Sequence, residues 1–186
     1  EPNGVNINEN CGSTHIENLC NLVKEKKLDL GFSFDGDCDR CIAVDENGNV
    51  VDGDSMLYIL ANRLKDRNLL ENNTIVTTIM SNSGLVTSLE KIGVKCVQTK
   101  VGDRFVFEEM QKNDYSLGGE QSGHIIIKKF ATTGDGILTA LKIVEELDLP
   151  GEWFVDKTTG KLYIYPTGEI SFKSFSYMYR VELSAS

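Results

Sequence analysis

The sequence predicts an α/β protein: layered α/β domains with mixed, largely parallel sheets, followed by a β-hairpin-rich C-terminal tail. Three observations predict it. Between residues 53 and 147, segments with apolar residues at helical spacing alternate with short apolar strand runs, a pattern that sets helices over a mainly parallel sheet. Before residue 53, two apolar runs flank an acidic loop and a third returns through an Asn-Gly turn. After Leu147, eight of the fifteen aromatic residues crowd into the last 39 positions. The predicted segments are therefore 1–52, 53–147 and an unrelated aromatic β-rich tail at 148–186, with Leu149-Pro150-Gly151 at the joint.

The elements follow in order. The opening is rich in Asn and Gly and begins as though cut from something longer. Thr14 and Glu17 have capping-box spacing, with His15 read as part of the same cap, and Ile16, Leu19, Cys20 and Val23 share one helical face. "LDLGFSF" and "CIAVD" are strands, Asn47-Gly48 is a turn, and "NVVDGD" pairs back. A helix then turns Leu57, Leu60, Ala61 and Leu64 inward before the buried strand "TIVTTIM". "SNSG" caps the next helix through Leu85, Val86, Leu89 and Ile92, and "VKCVQT" is a strand. A helix through Phe105, Val106 and Met110 leads to "YSLGG" and "HIIIKK", two strands around a glycine-rich loop. "TTGDGILTALKIVEEL" closes the α/β part as a helix capped by Thr132 or Thr133. In the tail, "EWFVDKTTGKLYIYP" reads as a hairpin.

Composition narrows the function. With 40% hydrophobic and 25% charged residues, the chain has the makings of a globular core. A formal net charge of −9 argues against a nucleic-acid partner, yet leaves room for a phosphorylated small molecule, which needs only local cations. No apolar run approaches the roughly 18 residues of a membrane span, and no signal peptide opens the sequence, so no membrane partner is expected. Five cysteines, an odd number, fit reduced thiols and a cytoplasmic location. Cys38-x-x-Cys41 has the spacing of a redox or zinc pair, but no second pair completes a zinc site, and small packing residues are the plainer reading.

The chemistry concentrates in "FDGDCDR". Asp35, Asp37 and Asp39 alternate, so their carboxylates project to one side and can converge on a single cation, with Gly36 letting the backbone turn. A hard ion bound by carboxylates and a phosphate suits Mg²⁺. Calcium is the alternative, since the three aspartates and Glu46 occupy EF-hand positions, although Arg40 stands where that loop wants Gly and the flanks read as strands. A solvated acidic loop is the third reading. "GGEQSGH" sets Glu120, Gln121, Ser122 and His124 on a short glycine-rich loop, able to meet sugar hydroxyls or simply to turn a hairpin. His124 could shuttle a proton or serve as a hydrogen-bonded loop residue. Lys100 and Arg104 in "TKVGDR" could face a phosphate or lie on the surface.

"FDGDCDR", "MSNSG", "VGDR", "GGEQSGH" and "TTGDG", in that order, resemble the α-D-phosphohexomutase superfamily over residues 1–147. "NINENCGSTH" and "VDGD" bring the resemblance nearest to its branch acting on glucosamine phosphates. The resemblance makes 1–52 the latter part of the second domain, with the metal loop, and 53–147 the third domain, with the sugar-binding loop. It gives Asp35, Asp37 and Asp39 to Mg²⁺, places Arg40 beside them as a supporting catalytic residue, and gives Glu120, Ser122 and His124 to substrate binding. It implies interconversion of glucosamine 6-phosphate and glucosamine 1-phosphate through a phosphoserine and a bisphosphorylated sugar, with a hexosamine or hexose phosphate as partner. The family's nucleophilic serine sits in a Ser-His-Asn type motif that does not occur here. The chain is thus expected to be an incomplete fragment, inactive until the missing mutase domains are supplied, or else a non-catalytic Mg²⁺ and phosphosugar-binding module. The tail resembles the hairpins of right-handed β-helix, carbohydrate-active proteins.

Overall fold

The computed structural model describes residues 3–145 together with the strands Trp153–Asp156 and Lys161–Ile164. Two sheets carry the α/β part. The first is three-stranded, β1 (Leu30–Phe34), β2 (Cys41–Asp45) and β3 (Val50–Val51), and is antiparallel throughout. The second has the order β5-β4-β6-β7, from β4 (Thr74–Thr78), β5 (Lys95–Thr99), β6 (Leu117–Gly119) and β7 (Ile125–Ile127). Here β4 is parallel to β5 and β6, and β7 returns antiparallel. The parallel pairings are thus confined to the second sheet. The remaining strands, β8 (Trp153–Asp156) and β9 (Lys161–Ile164), pair antiparallel with Trp153 opposite Ile164. The expected turn between them, the joint at Leu149-Pro150-Gly151 and the aromatics after Ile164 lie outside the described residues.

Strand alternation decides what each sheet face covers. In the first sheet, Val44 meets Leu19 and Val23 of α1 (Glu17–Lys26) on one face. Phe32, Phe34, Cys41 and Ala43 point the other way, into a cluster shared with α2 (Gly53–Asp66), α3 (Ser83–Lys91), α5 (Gly136–Glu145) and residues Ile75, Leu117, Ile125 and Ile127 of the second sheet. Val76 and Ile126 face away from that cluster and pack on Val106 and Met110 of α4 (Asp103–Asn113). One continuous core therefore crosses the expected boundary at 52/53, and the loops at the ends of both sheets are set on a common support.

Local chemistry explains the boundaries. Asp52, extended at φ −76° and ψ 178°, caps α2 by accepting from Ser55 N, and Asn82 caps α3 by accepting from Gly84 N. Three expectations are corrected. Thr14 and Glu17 form no capping box, because Ile16 already sits in the αR region at the N-cap and no side chain reaches the helix N–H groups. The fifth helix is capped by Asp135, whose Oδ1 accepts from Leu138 N at 2.8 Å, while Thr132 and Thr133 stand exposed outside it. The "TIVTTIM" strand also ends early: Ile79 and Met80 are each 64% exposed beyond β4.

Candidate metal and sugar-phosphate site

β1 and β2 deliver the acidic loop as the hairpin connection between Phe34 and Cys41, a paired position at its base. Cys38 N donates to Asp35 O at 3.0 Å, and Cys38 itself takes φ 57°, so the left-handed residue of the loop is Cys38 and not Gly36. Gly136 N donates to Cys38 O at 2.8 Å, pinning the start of α5 to the loop. Ligand oxygens of Asp35, Asp37 and Asp39 lie within 4.8 Å of one another. Oxygens around Mg²⁺ at about 2.1 Å stand roughly 3–4 Å apart, so small side-chain rotations would close the set on one ion. All three donors are carboxylates, the hard ligands such an ion takes. The residues present fit it.

The charges are only partly answered within the chain. Asp35 Oδ1 accepts from Arg40 N at 3.1 Å, and Arg40 Nε stands 3.6 Å from Asp35 Oδ2 and 3.8 Å from Asp39 Oδ1, without a hydrogen-bond partner of its own. Burial pushes the Asp39 carboxyl above its ordinary 3.8; His124 opposes that rise, while Asp35 and Asp37 add to it. The EF-hand alternative loses its twelfth ligand. Glu46 follows Asp45, which pairs with Leu30 at the far end of the hairpin, about 14 Å from Cys41 at ~3.4 Å per residue. The two cysteines join no metal cluster: Cys41 is fully buried, which pushes its thiol far above its usual range, and both are free.

The second loop lies against the first. It joins β6 to β7, and Arg40 and His124 form an isolated antiparallel bridge. Cys41 N donates to Gly123 O at 3.1 Å and Gly53 N to Gln121 O at 3.0 Å. Gly123, at φ 91°, is a position where a Cβ would collide with Cys41 O. Glu120 Oε1 accepts from Gly102 N at 3.0 Å, tying the "VGDR" segment to this loop. Ser122 is exposed and lines a cleft of about 350 Å³ with Arg40, Ser13, Thr14, Asp52 and Gln121. His124 is only 3% exposed, its Nδ1 3.1 Å from Asp39 Oδ2, and its Nε2 accepts from Gly134 N at 2.9 Å. Arg104 pairs with Glu108 at 2.7 Å on the outer surface of α4.

The structure thus brings the three aspartates, Arg40, Ser122 and His124 together, and joins Glu120 to them along one loop. Sequence reasoning missed the segment that backs this site, Gly134-Asp135 and the first residue of α5, Gly136. A Cβ at Gly134 would lie 2.6 Å from Asp39 O and from the His124 ring, so that position admits only Gly. The signal was present in the run of small residues in "TTGDG", which a helix cap alone does not require.

Comparison with known proteins bears on the family and the fold. The family model for phosphoglucomutase/phosphomannomutase, alpha/beta/alpha domain III, matches residues 52–165, and that for alpha/beta/alpha domain II matches residues 2–48. The match runs past Leu147, where the sequence reading ended the resemblance, and takes in β8 and β9. Phosphoglucosamine mutase of Lachnospira eligens is 53% identical over 165 residues, covering 89% of this chain and 36% of its own length. That of Lachnoclostridium phytofermentans is 55% identical over 166 residues, covering 89% and 37%. A phosphoglucomutase/phosphomannomutase family protein from Burkholderia thailandensis superposes with a TM-score of 0.64 at 27% identity, covering 70% of this chain and 29% of that one. The chain spans about a third of the length of the curated relatives it matches.

Proposed function

The chain belongs to the phosphoglucomutase/phosphomannomutase family, and from that membership we propose that it carries the metal-binding and sugar-binding parts of a hexosamine-phosphate mutase. The observation that carries the proposal is the junction of the two loops: the acidic hairpin and the glycine-rich loop share backbone hydrogen bonds and one cleft. The reaction proposed is the interconversion of glucosamine 6-phosphate and glucosamine 1-phosphate, as in the relatives' named activity.

In this reading Asp35, Asp37 and Asp39 hold Mg²⁺, which supplies charge neutralisation to a phosphoryl group in transit. Arg40 stands between the carboxylates and the cleft, its side chain 42% exposed, and offers its guanidinium to a phosphate oxygen. Ser122, and Glu120 through the oxygen that Gly102 does not occupy, meet sugar hydroxyls. The backbone bonds around Gly123 keep those groups fixed while the sugar turns over, so positioning costs little at the moment of transfer. The phosphoryl donor is a phosphoserine carried by a segment with a Ser-His-Asn motif, which this sequence lacks. The chain alone then binds without turning over.

An assay of the 186-residue chain with glucosamine 6-phosphate and Mg²⁺ tests this. The expected result is no turnover alone and turnover once a family segment bearing the phosphoserine is co-expressed. Enzymatic rates from the chain alone would overturn the fragment reading. Failure with a complementing segment firmly bound would overturn the mutase reading.

A further inference from the structure

One residue of the second loop is engaged in a way that a sugar contact does not explain. His124 is buried, and both ring nitrogens are taken by protein: a backbone N–H can only donate, so Gly134 N fixes Nε2 as an acceptor at 2.9 Å. Nδ1 then carries the hydrogen and donates it to Asp39 Oδ2 at 3.1 Å. The ring is clamped from behind, since Gly134 approaches it more closely than any residue with a Cβ could. No donor or acceptor on the imidazole is left for a hydroxyl.

We propose that His124 is a positioning residue for the metal loop, holding Asp39 by an Nδ1–H bond so that one carboxylate oxygen stays directed at the cation. This rests on the Mg²⁺ reading of the three aspartates. The physical need is plain. Asp37 accepts no hydrogen bond among the described residues, and Asp35 is held by the Arg40 backbone. Asp39, the third ligand, takes an N–H donor from a ring held in place by Gly134, which orients the carboxylate. Outer partners of this kind set ligand direction, and their loss weakens metal binding by about 10–100-fold. Through the same ring the second loop and the start of α5 report on the metal loop: His124 lies on one, Gly134 precedes the other.

The first test needs no variant. The chain has two histidines, so long-range ¹H–¹⁵N spectra resolve both imidazoles, and His124 is expected as the neutral Nδ1–H tautomer. A ring whose Nδ1 carries no hydrogen towards Asp39 would overturn the proposal. The second is calorimetric titration of the chain with Mg²⁺, repeated with Mn²⁺, for wild type, His124→Ala, His124→Gln and His124→Asn. Melting without metal reports folding of each variant. The Asn amide nitrogen falls near Nδ1 and the Gln amide near Nε2. His124→Asn is therefore expected to bind within about threefold of wild type, with His124→Gln and His124→Ala weaker by ~10-fold or more. Equal affinity in all four, or His124→Asn as weak as His124→Ala, would overturn the positioning role and leave the metal site standing. No metal binding by the wild type would overturn the metal reading, and this inference with it.

Discussion

The two ends of the β1–β2 hairpin carry carboxylates and treat them in opposite ways. At the turn to β3, Asp45 accepts from Asn47 N, Asn49 N and Asn49 Nδ2, at 3.0, 2.7 and 2.9 Å. Partial burial works against its charge, but the Asn49 and Asn47 donors, with Lys24 nearby, outweigh it and hold the carboxyl below its ordinary value. At the other end three carboxylates crowd together, and Asp39 sits above its ordinary value. Where the chain supplies donors, the turn is self-sufficient. At the acidic end the donors are fewer: Asp35 accepts from Arg40 N and Asp39 meets His124 Nδ1, while Asp37 accepts none among the described residues. The proposed function leaves the remaining charge to a cation. The same hairpin thus sets a carboxylate answered by its own turn against a cluster that the proposed function gives to a cation.

The largest expected break is in the support. Gly123→Ala puts a Cβ on Cys41 O at a φ of 91° and is expected to cost roughly 3 kcal/mol or more, about 6–12 °C in Tm. Urea and thermal unfolding check it; a loss under about 1 kcal/mol would show that the two loops do not bear on each other. Next, Asp37→Ala is expected to abolish the stabilisation that saturating Mg²⁺ confers, ~2.7 kcal/mol at a hundredfold excess over Kd, while leaving the metal-free melting temperature unchanged or higher, since one repelling charge is gone. A metal-free loss comparable to a core truncation would contradict the account of an unanswered charge.

Cys38→Gly sharpens the comparison at smaller scale. Relief of the left-handed conformation competes with the extra freedom of Gly in the unfolded chain, so the expected change is neutral to about 1 kcal/mol stabilising. Marked destabilisation in urea would mean that the Cys38 side chain holds the loop. The smallest effect is at the self-sufficient turn. Because the folded-state carboxyl of Asp45 is depressed, its stabilisation is present above the ordinary 3.8 and is lost as pH falls through its folded value. Asp45→Asn is expected to flatten the acid limb of the stability profile by a few tenths of a kcal/mol, screened as an exposed group is. An unchanged limb between pH 5 and pH 2 would contradict the turn's assignment.

Much of this was legible in the residues themselves. The helical spacing of Leu57, Leu60 and Ala61 is a buried face, and alternation in "FSF" and "CIAV" did mark two covered faces. The alternation of the three aspartates anticipated their convergence, with ligand oxygens within 4.8 Å of one another. What the sequence hid is tertiary. Thr14 and Glu17 have the right spacing for a cap, but spacing does not set the φ and ψ of Ile16. Ile79 and Met80 continue an apolar run that the strand does not use, since local hydrophobicity says nothing of where the neighbouring helix stops covering it. The two ring contacts of His124 need Gly134, ten residues away, and Asp39, 85 residues away. No periodicity encodes that.

The most direct test of the central claim is a Mn²⁺ titration followed by amide ¹H–¹⁵N spectra of the chain. At substoichiometric metal, broadening is expected first at residues 35–40, then at 123–124 and 134–136, with the Asp45–Asn49 turn affected last. Broadening centred on the Asp45 turn, or spread evenly over the acidic surface, would contradict the claim that one end of the hairpin is built for a cation and the other is not.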